Sequence, residues 1–149
     1  MNTQSLTNLK TLAIIGSGGM LGSDLARFFN TKFDVVPIDK KNYQTHIGRS
    51  FDIVINANGN SKRFWANQNP LDDFFASSVS VYQSILDFPC DLYIYISSPD
   101  VYEDHTDPNH AKENIGSNPE KLQPYGFNKY LSELIVKNYS KKFSSCGLR

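Results

Sequence analysis

Short, continuous apolar runs alternate along the chain with segments whose apolar residues recur at helical spacing. Continuous runs are typical of strands buried on both faces, and apolar positions three or four apart form the buried stripe of a helix. The predicted strands are 12–15, 33–38, 51–56 and 91–97, and the predicted helices are 21–29, 70–88 and 125–143. This alternation predicts an α/β domain with a doubly wound parallel sheet in three layers, whose site lies at the carboxyl ends of the strands.

Local residues refine the predicted elements. Pro37 favours an end or edge position for the second strand, since proline cannot donate to a neighbouring strand. Pro70 suits the first turn of the helix 70–88, and Lys141 and Lys142 suit the negative end of the helix 125–143. The apolar stripe predicted for the helix 70–88 is Leu71, Phe74, Phe75, Val79, Tyr82, Ile85 and Leu86.

Composition and charge exclude several classes of protein. The chain of 149 residues is 40% apolar and carries 15 basic and 15 acidic side chains. It can therefore bury a core as one domain, and it lacks the basic stripe that a nucleic-acid-binding protein needs. Cys90, Cys146 and the scattered histidines have no metal-ligand spacing, so no zinc site and no disulfide framework are expected. No signal peptide or membrane span is apparent, so a cytoplasmic location is expected.

Three glycines follow the first predicted strand at three-residue spacing. Gly16, Gly19 and Gly22 stand between that strand and the first helix. Glycines here allow a tight turn, let the backbone approach a pyrophosphate, and permit close packing of helix on sheet. The phosphates would then lie on the positive end of the helix. The pattern predicts a dinucleotide site.

The residue that ends the second strand bears on the choice of dinucleotide. Asp39 lies about 20 residues beyond the glycine loop, where a carboxylate accepts hydrogen bonds from the adenosine ribose hydroxyls. Because a 2′-phosphate would meet a like charge there, Asp39 favours NAD over NADP. The neighbouring Lys40 and Lys41 could offset that charge, so NADP stays open as the less favoured cofactor.

A tyrosine, a lysine and a serine form the candidate catalytic set. Tyr125 and Lys129 lie four residues apart at the start of the last predicted helix, which places both on one face. A nearby ammonium favours the phenolate and is expected to lower the tyrosine pKa towards the range useful for proton transfer. Ser97 and Ser98 end the fourth strand, and a serine hydroxyl there could align a substrate oxygen with the tyrosine.

Taken in order, these motifs resemble the extended short-chain dehydrogenase/reductases, which include NAD-dependent nucleotide-sugar epimerases, dehydratases and reductases. The resemblance covers nearly the whole chain and implies a Rossmann-like NAD-binding domain over residues 1–149. It implies hydride transfer to and from a sugar carbon, with Ser98, Tyr125 and Lys129 catalytic and Tyr125 moving the hydroxyl proton. The cofactor-binding residues that it implies are Gly16, Gly19, Met20, Leu21, Gly22, Asp39, Asn56, Ala57, Asn58, Gly59 and Lys129.

The chain departs from the family pattern in two places. Only about a dozen residues separate Asp39 from Phe51, too few for a strand and its crossover helix, so one strand-helix unit is shortened and the adenine side differs. Pro99 and Asp100 stand where dehydratases carry an acid and a base. Because proline cannot be an acid, a dehydratase is disfavoured, although Asp100 keeps that option open.

Length is a third departure. Family members are about twice as long, so the portion that forms most of the sugar-nucleotide pocket is expected to be absent and the chain to be a fragment. The fourth strand would then form an exposed sheet edge, and self-association as a homo-oligomer is expected. The leading hypothesis is an NAD-dependent oxidoreductase or epimerase acting on a nucleotide-linked sugar. A non-catalytic dinucleotide-binding module is the alternative, and the glycine spacing disfavours a flavodoxin-like domain.

Overall fold

The structure is a computed structural model that describes residues 9–102 and 118–147. Strands and helices alternate over most of its length. In chain order the elements are β1 Thr11–Ile15, α1 Met20–Phe29, β2 Asp34–Ile38, a 3₁₀ turn Tyr43–His46, β3 Phe51–Asn56, α2 Arg63–Gln68, α3 Pro70–Phe74, a π-helical turn Phe75–Val79, α4 Ser80–Asp87, β4 Cys90–Ser97, 3₁₀ turns Pro99–Val101 and Pro119–Lys121, α5 Pro124–Tyr139, and β5 Phe143–Gly147.

The five strands form one parallel sheet in the order β2-β1-β3-β4-β5. The chain runs outward from β1 to β2 and then returns to the other side of β1, so the strand order reverses between β1 and β3. Ligands of doubly wound sheets bind beyond the carboxyl ends of the strands at such a reversal. The four predicted strands and the α/β class are confirmed, and Pro37 lies in the edge strand β2, opposite Ile14.

Two apolar clusters cover the two faces of the sheet. On one face, α4 and α5 pack Val81 and Val136 against the fully buried Val54 and Tyr95. On the other face, α1 packs Leu25, Ala26 and Phe29 against Leu12 and Ile14. The strands contribute alternate residues to the two clusters, as the period of two in a strand requires. The result is the predicted three-layer arrangement.

The shortened unit lies between β2 and β3. A single 3₁₀ turn, Tyr43–His46, takes the place of a crossover helix. The Tyr43 ring packs edge-on against Phe88 at 4.9 Å between centroids, and its hydroxyl donates to Asp87 Oδ2 at 2.9 Å. These two contacts join the turn to the end of α4, so the connection packs on the sheet despite its brevity.

The helix predicted over 70–88 is interrupted by a π-helical turn. This turn, Phe75–Val79, joins α3 to α4, and it points Ser77 and Ser78 into the interior. π-turns inside α-helices are frequent at functional sites. The predicted apolar stripe is only partly buried, because Leu71, Phe75 and Leu86 are more than half exposed.

Two predictions about the carboxyl-terminal part of the chain are wrong. The last helix ends at Tyr139 rather than 143, because Ser140 adopts an extended conformation and its N–H closes the helix on Val136. Lys141 and Lys142 therefore lie beyond the helix. The following segment, Phe143–Gly147, pairs with β4 as a fifth strand, so β4 is not a sheet edge. The sequence SSC lacks the apolar run that marks the other strands, which explains why the pattern indicates only the lead-in to a further strand there and not the strand itself.

Within the described residues, no helix has both the length and the apolarity to cross a membrane.

Buried tyrosines make the stability of this fold sensitive to alkaline pH. Burial raises the pKa of Tyr93 to about 12, against weaker opposing hydrogen bonds from Ser84 and Asn56, and burial also raises the pKa of Tyr95. Because the folded state favours the neutral phenol, its contribution is fully present below pH ~10, the ordinary phenol pKa, and is lost as pH rises through the folded value. We expect the free energy of unfolding in urea to fall between about pH 10 and pH 12. The fall should be shallower in Tyr93→Phe, and a flat profile in the wild type would contradict the burial of these phenols.

Candidate active site

A cleft of about 590 Å³ opens at the carboxyl ends of β1 and β3, at the point where the strand order reverses. Its volume is in the range of small-molecule sites, roughly 300–1,000 Å³. The lining residues are Ile15, Gly16, Gly18, Gly19, Ile38, Asp39, Lys40, Lys41, Tyr43, Gln44, Ala57, Asn58 and Gly59. The cleft therefore joins the glycine loop, the end of β2 and the loop after β3.

The glycine loop is held in a conformation that side chains would block. Gly16 has a φ of +85°, and a Cβ there would lie 2.8 Å from the backbone nitrogen of Asn58. A Cβ at Gly22 would collide with the carbonyl oxygen of Gly16, so only glycine lets α1 pack this close to the loop. The first N–H groups of a helix have no partner within the helix. Those of Met20 and Leu21, at the start of α1, are therefore free to bind phosphate oxygens.

Asp39 lies at the end of β2 in the wall of the cleft. Its Oδ1 accepts hydrogen bonds from the backbone N–H groups of Lys41 at 2.8 Å and Asn42 at 3.2 Å. These bonds fix the carboxylate against the loop and orient it. Lys40 and Lys41 line the same part of the cleft, so a ligand there would lie near one negative and two positive side chains.

The loop after β3 forms the opposite wall, and its predicted residues divide into two groups. Ala57, Asn58 and Gly59 line the cleft. Asn56 is fully buried instead: its Oδ1 accepts from the N–H of Asn58 at 2.8 Å, and its Nδ2 donates to the Tyr93 hydroxyl at 2.7 Å. The Asn56 side chain therefore shapes the loop rather than facing the cleft.

Ser98 begins the short turn that follows β4. Its hydroxyl donates to Asp100 Oδ2 at 3.0 Å and accepts from the Asp100 N–H at 3.3 Å. The second carboxylate oxygen of Asp100 binds the Arg63 guanidinium at 2.6 Å. Asp100 thus orients Ser98 and is itself held by an ion pair.

Helix α5 brings Tyr125 to this turn. Pro124 occupies the first turn of the helix, and Asn67 accepts a hydrogen bond from the Tyr125 N–H at 3.1 Å. A Cβ at Gly126 would collide with the Asp100 carbonyl oxygen, so this glycine lets the helix approach the serine turn. Gly126 is the glycine of the Tyr-Gly-x-x-Lys motif, to which the sequence alone assigns no role.

The pKa of Tyr125 differs in direction from the expectation. Burial raises it, a hydrogen bond with Ser98 opposes the rise, and the negative charges of Asp100 and Asp73 add to it. The lysine expected to lower this pKa, Lys129, has its ammonium 5.8 Å from the centre of the tyrosine ring. The prediction of a lowered pKa is therefore wrong for the site without ligand, because burial and the charges of Asp100 and Asp73 outweigh the Ser98 hydrogen bond and the positive charge of Arg63.

Lys129 is almost fully enclosed, with an exposed fraction of 5%. A Cβ at Gly59 would lie 2.9 Å from its Nζ, so the ammonium reaches the cleft wall at that glycine. Burial lowers the Lys129 pKa, and the charge of Asp73 opposes this. Within residues 9–102 and 118–147, the ammonium has no ion-pair or hydrogen-bond partner, and such a donor at a cleft wall suits a ligand oxygen.

A cluster of buried polar side chains lies near Lys129, and the sequence pattern does not reveal it. It is centred on the fully buried Asp73, which pattern alone assigns to a polar position of a surface helix. Two features could have pointed to it: a carboxylate inside an apolar stripe, and serines four and five residues later. Its other members are Asn60, Ser77 and Asn128.

Comparison with known proteins places the chain in a family. The model of the NAD dependent epimerase/dehydratase family matches residues 12–149. The chain belongs to this family. The resemblance drawn from the glycine, serine and Tyr–Lys motifs is thus confirmed at the level of the family. No curated protein sequence matches the chain.

Solved structures share the fold at low sequence identity. A dTDP-4-dehydrorhamnose reductase from Bacillus anthracis in complex with NADP has a TM-score of 0.75 and 18% identity, covering 92% of this chain and 52% of that one. A UDP-galactose 4-epimerase has a TM-score of 0.72 and 16% identity, covering 91% and 54%. A short-chain dehydrogenase/reductase superfamily protein from Agrobacterium tumefaciens with bound NAD has a TM-score of 0.65 and 16% identity, covering 91% and 48%. The chain spans about half the length of these proteins.

Two glycine substitutions test the packing of the loop. We expect Gly22→Ala to lower the free energy of unfolding by about 1–3 kcal/mol, because the new methyl group meets the Gly16 carbonyl and the backbone must shift. Gly18→Ala is the matched control, because its Cβ would lie 3.7 Å from Asp39 Cβ, an ordinary contact, and should change stability by about 0.5 kcal/mol or less. Equal unfolding curves in urea for the two variants would contradict the close approach of α1 to the loop.

Proposed function

We propose that the chain is the nucleotide-binding part of an NAD-dependent oxidoreductase or epimerase that acts on a nucleotide-linked sugar. The observation that carries this proposal is the enclosed ammonium of Lys129 behind Gly59, at the wall of a glycine-lined cleft and one helical turn from Tyr125. Among the residues that the structure describes, this ammonium has no ion-pair or hydrogen-bond partner. A dinucleotide would have its pyrophosphate on the glycine loop and a ribose hydroxyl on this ammonium. Both features suit the cofactor that the family description names.

NAD is the proposed cofactor, with NADP the second choice. The carboxylate of Asp39 is fixed toward the cleft by two backbone N–H groups, where it favours ribose hydroxyls over a 2′-phosphate. Of the similar structures, one holds NADP and another NAD, so Lys40 and Lys41 keep the phosphorylated cofactor in consideration.

In the proposed proton transfer, Tyr125, Ser98 and Asp100 have different roles. The nicotinamide, when bound, accepts or supplies the hydride. Tyr125, whose pKa burial raises, would donate its proton to a carbonyl oxygen when the sugar is reduced and would take a proton from the hydroxyl when the sugar is oxidised. The Ser98 hydroxyl would turn its one proton from Asp100 Oδ2 to the same oxygen, while the Asp100 N–H holds the serine oxygen in place. The ion pair that Asp100 forms with Arg63 favours reductase or epimerase chemistry over dehydration.

A nucleotide-linked sugar is proposed as the substrate because two of the similar structures are a dTDP-4-dehydrorhamnose reductase and a UDP-galactose 4-epimerase. The described part of this chain supplies the cofactor cleft and the proton-transfer groups. The chain spans about half the length of those proteins, and a dinucleotide-binding module without turnover of its own is the second candidate.

Calorimetric titration with NAD and NADP tests the cofactor site. We expect NAD to bind more tightly than NADP, and Lys129→Met to weaken NAD about 10- to 100-fold, because one hydrogen bond from a charged group is lost. Lys137→Met is the matched control, since Lys137 is exposed on the same helix and its removal should leave affinity unchanged. Absence of binding by the wild-type chain would contradict the proposal.

Substitution of the tyrosine separates the two candidate functions. In assays of hydride transfer with a panel of nucleotide sugars, we expect Tyr125→Phe to lower turnover by about 10²–10⁴-fold while NAD affinity is retained, since only the proton donor is lost. Equal turnover in wild type and variant would contradict the role of the tyrosine. NAD binding without turnover in the wild type would favour the binding module.

A further inference from the structure

Asp73 is a fully buried carboxylate at the end of α3. Its Oδ1 accepts from Asn60 Nδ2 at 3.0 Å and from the Ser77 hydroxyl at 3.4 Å, and its Oδ2 accepts from Asn128 Nδ2 at 2.8 Å. All three donors are neutral. A buried carboxylate is costly unless it is hydrogen-bonded and its charge is balanced nearby, and these bonds meet only the first requirement.

The donors around Asp73 come from the segments that enclose Lys129. Asn60 directly follows Gly59, the glycine in contact with the lysine ammonium, and Asn128 directly precedes Lys129 on α5. Ser77 lies in the π-helical turn, and its hydroxyl lies 3.9 Å from the position of a Cβ at Gly59. The carboxylate thus joins the three segments at the point where they meet the lysine.

Buried positive charge near Asp73 is confined to Lys129 among the described residues. Arg63 is more than half exposed and is paired with Asp100. Lys129 is 5% exposed and forms no direct ion pair with Asp73 in the described structure, so the charge of Asp73 acts on it from beyond contact distance. At low dielectric such a pair still interacts strongly beyond contact distance.

We propose that Asp73 is a positioning residue that keeps Lys129 charged and fixes it at the cleft wall, through the carboxylate and its hydrogen bonds to Asn60, Ser77 and Asn128. The inference rests on the proposed function, because it assigns the charged lysine to binding the cofactor. The titratable and charged groups that face this pair from neighbouring elements are Tyr125 on α5, Tyr95 on β4, Asp100 in the serine turn and Arg63 on α2.

The negative charge of Asp73 determines the direction in which the Lys129 pKa changes when Asp73 is replaced. Burial lowers the Lys129 pKa and Asp73 opposes this, so loss of the negative charge lowers the lysine pKa further. A lysine that loses its proton at lower pH loses its hydrogen bond to a ligand at lower pH. Replacement of Asp73 therefore shifts the alkaline limit of ligand binding downward.

The test is an NMR titration of the Lys129 side-chain carbon Cε in the chain without ligand, in wild type, Asp73→Asn and Asp72→Asn. Asn fills the same volume without the charge, and Asp72 is an exposed carboxylate beside it on the same helix. We expect Lys129 to titrate at lower pH in Asp73→Asn and unchanged in Asp72→Asn. The affinity for NAD should decline at correspondingly lower pH. An unchanged Lys129 titration in a folded Asp73→Asn protein would overturn the proposal.

If Asp73→Asn does not fold, a stability measurement replaces it. In Lys129→Met the buried carboxylate loses its counter-charge, so this variant should unfold at a lower urea concentration than the exposed-site variant Lys137→Met; equal unfolding midpoints would overturn the proposal. The ligand-free titrations also separate this inference from the proposed function. Wild-type protein that fails to bind NAD, with the Lys129 shift still present, would contradict the function and leave the positioning role of Asp73 standing.

Discussion

An enclosed lysine ammonium has to be kept charged, and the arrangement of the site depends on meeting that constraint. Lys129 is held by α5 and covered by Gly59 from the loop after β3, and it has no ion-pair or hydrogen-bond partner in the described part of the chain. Water would normally stabilise this charge, and burial removes that water. The carboxylate of Asp73, itself fully buried, replaces part of the lost stabilisation, and its hydrogen bonds to Asn60, Ser77 and Asn128 join the segments on which the site is built.

The parallel sheet explains why these segments meet. Strands β1 and β3 are neighbours that end at the same edge, although 35 residues lie between Ile15 and Phe51 in the sequence. The glycine loop and the loop after β3 therefore face each other across one cleft. The reversal of strand order leaves room for a ligand there, while glycines at 16 and 22 let backbone and helix approach within distances that a Cβ would prevent.

The sequence predicts the strands, the glycine loop and the family because each depends on local pattern. The apolar runs of β1, β3 and β4 are predictable because strands buried on both faces need only apolar residues. Gly16, Gly19 and Gly22 are predictable because they stand in the turn from a strand to a helix. For β5 the sequence indicates no more than the lead-in to a strand, because its polar residues lack an apolar run and its pairing with β4 is a contact between distant segments. The sequence also does not predict the raised pKa of Tyr125, since burial and the charges of Asp73 and Asp100 come from residues distant in sequence. The sequence separates Asp73 from the exposed Asp72 beside it only through its place in the apolar stripe and the serines four and five residues later.

A crystal structure of the chain with NAD bound is the most direct test of whether Lys129 binds the cofactor in this cleft. We expect the pyrophosphate to lie on the glycine loop at the start of α1 and the adenosine ribose to face Asp39. A hydroxyl of the nicotinamide ribose should accept a hydrogen bond from Lys129 Nζ, which stays near Gly59. A dinucleotide bound elsewhere, or bound in the cleft with the ammonium of Lys129 left without a ligand oxygen, would contradict these expectations.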